Sequence, residues 1–177
     1  MAERNDIPRL NDIPADGAGL RRAFASFPSG VVAVCAEIDG TPYGLAVSTF
    51  VPVSLDPPLV SFCVQNSSTT WPRLAPASHL GLSLLGTDQD GAARSLSSRD
   101  GDRFRDVALH RGAEHAVFIG GASAWLEGAI ETRVPAGDHE VVIVRVHRLS
   151  TREVEPLVFH GSRFRRLHPE EVRSGAA

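Results

Sequence analysis

The residues that could do chemistry fall into a few short runs. Gly44-Leu45-Ala46-Val47-Ser48-Thr49-Phe50 ends an apolar stretch in small and hydroxylated side chains. Such an ending leaves backbone N–H groups open to a flat ligand, and it equally fits an ordinary strand-to-loop transition. Asn66 to Thr70 is a polar run, with Ser67, Ser68 and Thr69 at its centre, directly ahead of a helix beginning near Trp71. Hydroxyls and free N–H groups at a helix start suit a phosphate; simple N-capping is the other reading. Gly137-Asp138-His139 sits between two long strand patterns, where a turn histidine is either solvated or set against a ligand. Asp100-Gly101-Asp102-Arg103-Phe104 reads first as a polar turn.

Other chemistries drop out. All eighteen basic residues are arginine, so there is no Schiff-base lysine and no P-loop lysine. Cys35 and Cys63 sit in apolar runs without metal-ligand spacing and read as reduced core residues. His110 and His115 lie five apart in a glycine-containing loop and form no zinc pattern. No GxGxxG follows a strand, and no serine is flanked by glycines as a nucleophile elbow requires. Redox chemistry would therefore have to come from a cofactor. The net charge is -3 and the arginines are scattered among acids, so no nucleic-acid footprint is visible. No apolar run is long enough to cross a bilayer, and Met1 to Gly19 lacks the apolar core of a secretory signal, so a cytoplasmic protein is expected.

The elements that must position these runs are mostly strands. Leu20, Ala23, Phe24 and Phe27 form one helical stripe, ended by Pro28 and Gly30. Val31 to Ile38 and Thr41 to Val47 flank Asp39-Gly40 and predict a hairpin. Leu59 to Val64 predicts a buried strand after the Asp56-Pro57-Pro58 punctuation. Trp71 to Ala77 predicts a short helix, Leu80 to Leu85 a strand, and Gln89 to Ser98 a helix capped by Thr87 or Asp88. Gly101 to Glu114 reads as a loop. From Leu126 to Val134 one face is apolar and Glu127, Glu131 and Arg133 occupy the other. Val141 to Leu149 is a second long strand, and Leu157 to Leu167 a last one broken at Gly161. Many strands and few helices favour an antiparallel barrel over a doubly wound sheet. One domain over residues 20–168 is expected, with a flexible N-terminal arm at 1–19, which could also wrap a partner subunit, and a tail at 169–177.

Taken in order, these segments resemble the short-chain flavin reductase family, the reductase components of two-component flavin monooxygenases. The most specific stretch is GLAVSTFVPVSLDPPLV, Gly44 to Val60, which is similar to the family's flavin-binding signature. FASFPSGV from Phe24, Leu80 to Leu85, Asp102-Arg103-Phe104, Gly137-Asp138-His139 and PLVFHGSRF from Pro156 support it. The resemblance implies a mainly β protein, a six-stranded antiparallel Greek-key split barrel with a few short helices, working as a homodimer. It implies hydride transfer from NADH or NADPH to FMN or FAD, with reduced flavin passed to a partner monooxygenase. Ala46, Val47, Ser48, Thr49, Phe50, Pro52 and Val53 would line the flavin. Ser67, Ser68 and Thr69 would meet its phosphate with Arg73 nearby, and Arg99-Asp100 would reach an adenylate. His139, His160, Gly161, Ser162, Arg163 and Phe164 match positions that meet the nicotinamide. Ala46 stands where many relatives carry threonine, and Thr49 where serine is common, which leaves FMN against FAD open. The competing reading is a non-enzymatic flavin carrier or sensor, which would not let a nicotinamide bleach its flavin; an amine oxidase of the pyridoxamine phosphate type would need a basic phosphate clamp not evident in the sequence.

Overall fold

The computed structural model describes residues 12–13, 17–99 and 101–167. The expected arm at 1–19 and tail at 169–177 lie, but for 12–13 and 17–19, outside the described residues, as does Asp100. Helix α1 spans Ala18–Phe24 and buries nothing; Phe24 and Phe27 are 65% and 75% exposed, so the predicted stripe has no core to face within this chain.

Strands β1 (Ser29–Gly30), β2 (Val32–Ile38) and β3 (Thr41–Val47) follow. Asp39 and Gly40 both take positive φ, the mirror-image turn that matches strand twist. After β3 come β4 (Val51–Leu55), β5 (Pro58–Gln65) and α2 (Trp71–Leu74), a helix shorter than expected: Ala75 is still helical, but Pro76 has no N–H to continue the bonding. Then come β6 (Leu80–Leu84), α3 (Asp90–Ser97), the pair β7 (Leu109–Arg111) and β8 (Val117–Ile119), and the long strands β9 (Ala124–Ala136) and β10 (His139–Thr151). The chain closes on the hairpin β11 (Val158–His160) and β12 (Arg163–Arg165). The fold is thus mainly β, with few short helices.

The main sheet is antiparallel in the order β3-β2-β6-β9-β10-β5-β4, seven strands and not the six expected. The extra strand is β4, where Pro52 and the Asp56-Pro57-Pro58 run read as loop. Pro52 is tolerated because β4 is the sheet edge and needs no further donor. The opposite terminal strand, β3, carries Pro42. Smaller sheets join β1-β11-β12 and β7-β8, so the predicted loop at 101–114 contains a strand.

Strand β2 is buried on both faces, which explains its unbroken apolar run. Val32, Val34 and Ala36 join an inner core with Leu45, Val47, Phe62, Leu82, Val142 and Val144. Val31, Ala33 and Cys35 join an outer core with Leu96 of α3, Val117, Ile119 and Leu157. The sheet therefore curls: β3 at one end and β5 near the other share one interior. Full burial of Phe62 contributes about 2–3 kcal/mol to that interior.

Three local expectations need correction. The α3 N-cap is Gln89 and not Thr87 or Asp88; its side chain accepts the Gly86 N–H and donates to the Gly120 carbonyl. Bulges in the β9–β10 ladder leave Glu131 and His147 without opposite partners. Glu127 is also not on a solvated face: it is buried against Arg148, 3.3 Å away, under the 112–118 segment.

Candidate functional site

The end of β3 presents alternate side chains to opposite sides. Leu45 and Val47 enter the inner core, whereas Ala46 packs against the outer core. Gly44 needs the absence of a side chain: a Cβ there would come within 2.7 Å of Cys35 Sγ and 2.8 Å of Phe104. Ser48 is exposed. The Thr49 hydroxyl is committed, accepting the Cys63 N–H at 2.9 Å and donating to the Cys63 carbonyl at 3.2 Å, which ties the β3 exit to β5. Phe50 packs on the inner core, and Pro52 and Val53 lie exposed on β4, Val53 within a bulge. Of the segment expected to line a flavin, Val47 and Phe50 thus turn their side chains into the protein, leaving only backbone for a ligand there.

The second segment is pinned at both ends. Asn66 donates its backbone N–H to the Asp138 carbonyl at 2.9 Å and its side-chain amide to the Gly137 carbonyl at 3.2 Å. Ser68 Oγ accepts the Trp71 N–H at 3.1 Å, so the N-capping reading holds for Ser68. The hydroxyls of Ser67 and Thr69 make no hydrogen bond among the described residues.

Beside this loop opens a cavity of about 450 Å³ lined by Tyr43, Gly44, Thr69, Thr70, Arg73 and Arg103 among others. Arg103 Nη1 donates to the Gly44 carbonyl at 3.1 Å and to Thr70 Oγ1 at 2.5 Å, joining the first segment to the second. The Asp102 side chain fixes this corner by accepting the Phe104 N–H at 2.9 Å. Arg73 stands on the other wall, bonded to Tyr43 Oη at 3.0 Å with its guanidinium 5.2 Å from the ring centre. Two guanidinium groups and the uncommitted Thr69 hydroxyl around one concavity fit an anionic phosphate on a flat ring system. Arg99 is exposed.

The third segment meets the second directly through Asn66. His139 opens β10 opposite Gln65, and its Nδ1 lies 2.7 Å from Asp138 Oδ1; that bond holds the Asp138 carboxyl below its usual range. The fourth segment is built differently. His160 and Arg163 pair across a turn in which Gly161 and Ser162 both have φ 59, and the Gly161 N–H donates to the Ala25 carbonyl at 2.7 Å. Phe164 lies 5.4 Å from Phe159 and 4.8 Å below the Arg94 guanidinium, and both rings join the outer core that Ala46 touches. No hydrogen bond, ion pair or ring contact among the described residues links this hairpin to His139.

The sequence reading named Thr70 only as the end of the Asn66 to Thr70 run, and it gave neither Tyr43 nor Arg103 a binding role. Only the Asp102-Arg103-Phe104 tripeptide gave a signal for the last, and a polar turn explained it equally well. Cys35 is no nucleophile, because burial pushes its thiol far up.

Residues 24–168 match the flavin reductase like domain family. The FMN reductase (NADH) SmoA of Agrobacterium fabrum is 34% identical over 84% of this chain and 84% of its own. A solved structure of the Streptomyces globisporus NADH:FAD oxidoreductase SgcE6, with NAD and FAD fragments, is 36% identical and superposes with a TM-score of 0.86, covering 92% of this chain and 99% of its own. The flavin reductase of the styrene monooxygenase from Pseudomonas putida S12 is 31% identical with a TM-score of 0.79, over 86% and 99% of the two chains.

Proposed function

Since the chain belongs to the flavin reductase like domain family, we infer that it is an NAD(P)H-dependent flavin reductase supplying reduced flavin to a flavin-dependent monooxygenase. The observation that carries the site assignment is the convergence of three separated segments: Arg103 bridges 44–50 to 66–70, and Asn66 bridges 66–70 to 137–139.

In this reading Ala46, Ser48, Pro52, Val53 and the backbone of Val47, Thr49 and Phe50 hold the flavin ring and ribityl chain. Ser67 and Thr69 donate to its phosphate, Ser68 shapes the loop, and Arg73 and Arg103 neutralise its charge. Arg99, which is exposed, and Asp100 contact an adenylate when the flavin is FAD. His139 and the 160–164 hairpin, with His160, Gly161, Ser162, Arg163 and Phe164, meet the nicotinamide. When bound, flavin and nicotinamide supply the redox chemistry themselves. The protein's task is stacking and close approach, which need no ionising side chain at the reacting atoms.

The same reading extends to assembly and architecture. Six of the seven strands, β4 aside, form a split barrel, supported by the shared interior of β3 and β5 and by the Thr49 link. Residues 20–168 are the reductase domain. A second copy covers the outer face of β4, β5, β10 and β9, where Val51, Cys63, Val134, Val141 and Ile143 point away from the buried Phe62, Val142 and Val144. Among the described residues no helix is long and apolar enough to cross a membrane; a cytoplasmic location is supported by two free cysteines. Steady-state assay of the purified protein with each pairing of NADH or NADPH and FMN or FAD tests the function. Oxidation only when free flavin is added is the expected result, and no turnover in any of the four pairings would overturn it.

A further inference from the structure

We propose that Glu140 is a positioning residue: through Trp71 it locks the 66–70 loop to the turn that carries His139, so that the flavin side and the nicotinamide side of the site are set by one device. The inference rests on the site reading above.

Glu140 stands where the strand pattern calls for an apolar residue. It shares the inner face of β10 with Val142 and Val144, both fully buried, and pairs across β5 with buried Val64. Its side chain is only 16% exposed. Both carboxylate oxygens are committed: Oε1 accepts the Trp71 indole N–H, and Oε2 accepts Arg133 Nε at 3.0 Å and Nη2 at 2.9 Å. The Arg133 guanidinium also lies 5.8 Å from the Trp71 ring centre, and Phe62 meets that ring edge-on at 5.7 Å. Trp71 can take one place only.

The placement of Trp71 decides the loop, since its N–H is bonded to Ser68 Oγ and its other end is the first residue of α2. At the far end Asn66 is bonded to Gly137 and Asp138. The loop is therefore clamped twice to one turn, once by backbone next to His139 and once by the side chain of the residue after it. Ser67 and Thr69 project from between the clamps. A half-buried charge pair of this kind is a poor way to gain stability, because an apolar pair of equal volume does as well or better. Fixing a unique geometry is what it does well.

Two conservative variants separate this from a purely structural role. Trp71→Phe keeps the packing on Phe62 and removes the indole donor; Glu140→Gln keeps an acceptor for that donor and weakens only the Arg133 pairing. Flavin dissociation constants are read by quenching of flavin fluorescence, and nicotinamide KM and kcat are measured at saturating flavin. Trp71→Phe and Glu140→Ala should each weaken flavin binding about five- to tenfold and raise nicotinamide KM about threefold, with kcat within about twofold, as expected for loss of one hydrogen bond. Glu140→Gln should stay within about twofold of the parent on both constants, and the Trp71→Phe/Glu140→Ala combination should be no worse than either alone. Unchanged constants in both single variants, a fall in kcat and thermal stability alone, or multiplied losses in the combination would overturn the proposal. Ser67→Ala/Thr69→Ala is the control on the site itself. Intact flavin affinity in that control refutes the loop assignment, whereas weakened affinity there with normal Trp71→Phe refutes the clamp alone.

Discussion

Replacing Arg103 with alanine should damage the fold and the flavin affinity by separable amounts. The guanidinium makes two hydrogen bonds, to the Gly44 carbonyl and Thr70 Oγ1. A hydrogen bond from a charged donor contributes about 1.5–3 kcal/mol, which would set the upper limit for two near 6 kcal/mol. The adjoining cavity of about 450 Å³ lets water reach both freed acceptors, so the net cost falls to about 2 kcal/mol. For a domain of this size that lowers Tm by about 4–8 °C, readable in a ligand-free melt. Loss of one cation facing the phosphate should separately weaken flavin binding about tenfold, roughly 1.4 kcal/mol, in a fluorescence titration. Arg103→Lys retains the charge without the fork that spans both partners, so it should recover part of the affinity and little of the stability. A lowered Tm with unchanged flavin affinity would show that the guanidinium serves only to join β3 to the loop. An unchanged Tm would refute the bridging geometry.

His139→Ala should raise nicotinamide KM while leaving the flavin dissociation constant close to the parent value, and equal loss of both would mean the role is misassigned. Across the β9 bulge, Arg145 grips Glu131 with hydrogen bonds of 2.7 and 2.8 Å, which hold that carboxyl below its ordinary range and raise the arginine. The lowered value means the clasp is intact above the ordinary glutamate range and is lost only as pH falls through the depressed one. A carboxyl-carbon NMR titration of Glu131 should show this, and a midpoint in the normal range would refute it.

Much of the architecture was legible because β-branched runs and turn dipeptides are local. Asp39-Gly40 predicted a hairpin, which occurs, and the break expected at Gly161 in the last strand is there as the turn of a second hairpin. The misses have physical causes. Prolines hid β4, since a sequence does not reveal which strand will lie at an edge where a missing donor costs nothing. Glu127 kept the face its spacing predicted, but the 112–118 segment covers that face, and no local pattern reports a cover supplied by a distant part of the chain. The candidate site was legible as separate segments and not as a constellation. Arg103 reaches Gly44 across 59 positions and Thr70 across 33, and Asn66 reaches Gly137 across 71. No periodicity reports contacts at such separations.

The two prolines at the ends of the main sheet have a consequence for how the molecule behaves in company. Pro42 and Pro52 each interrupt the row of donors that a terminal strand would offer a newcomer, and the bulge at Val53 bends the second rim away. Neighbouring molecules cannot zip onto either margin to form an extending ribbon, even where Leu55 stands almost fully bare.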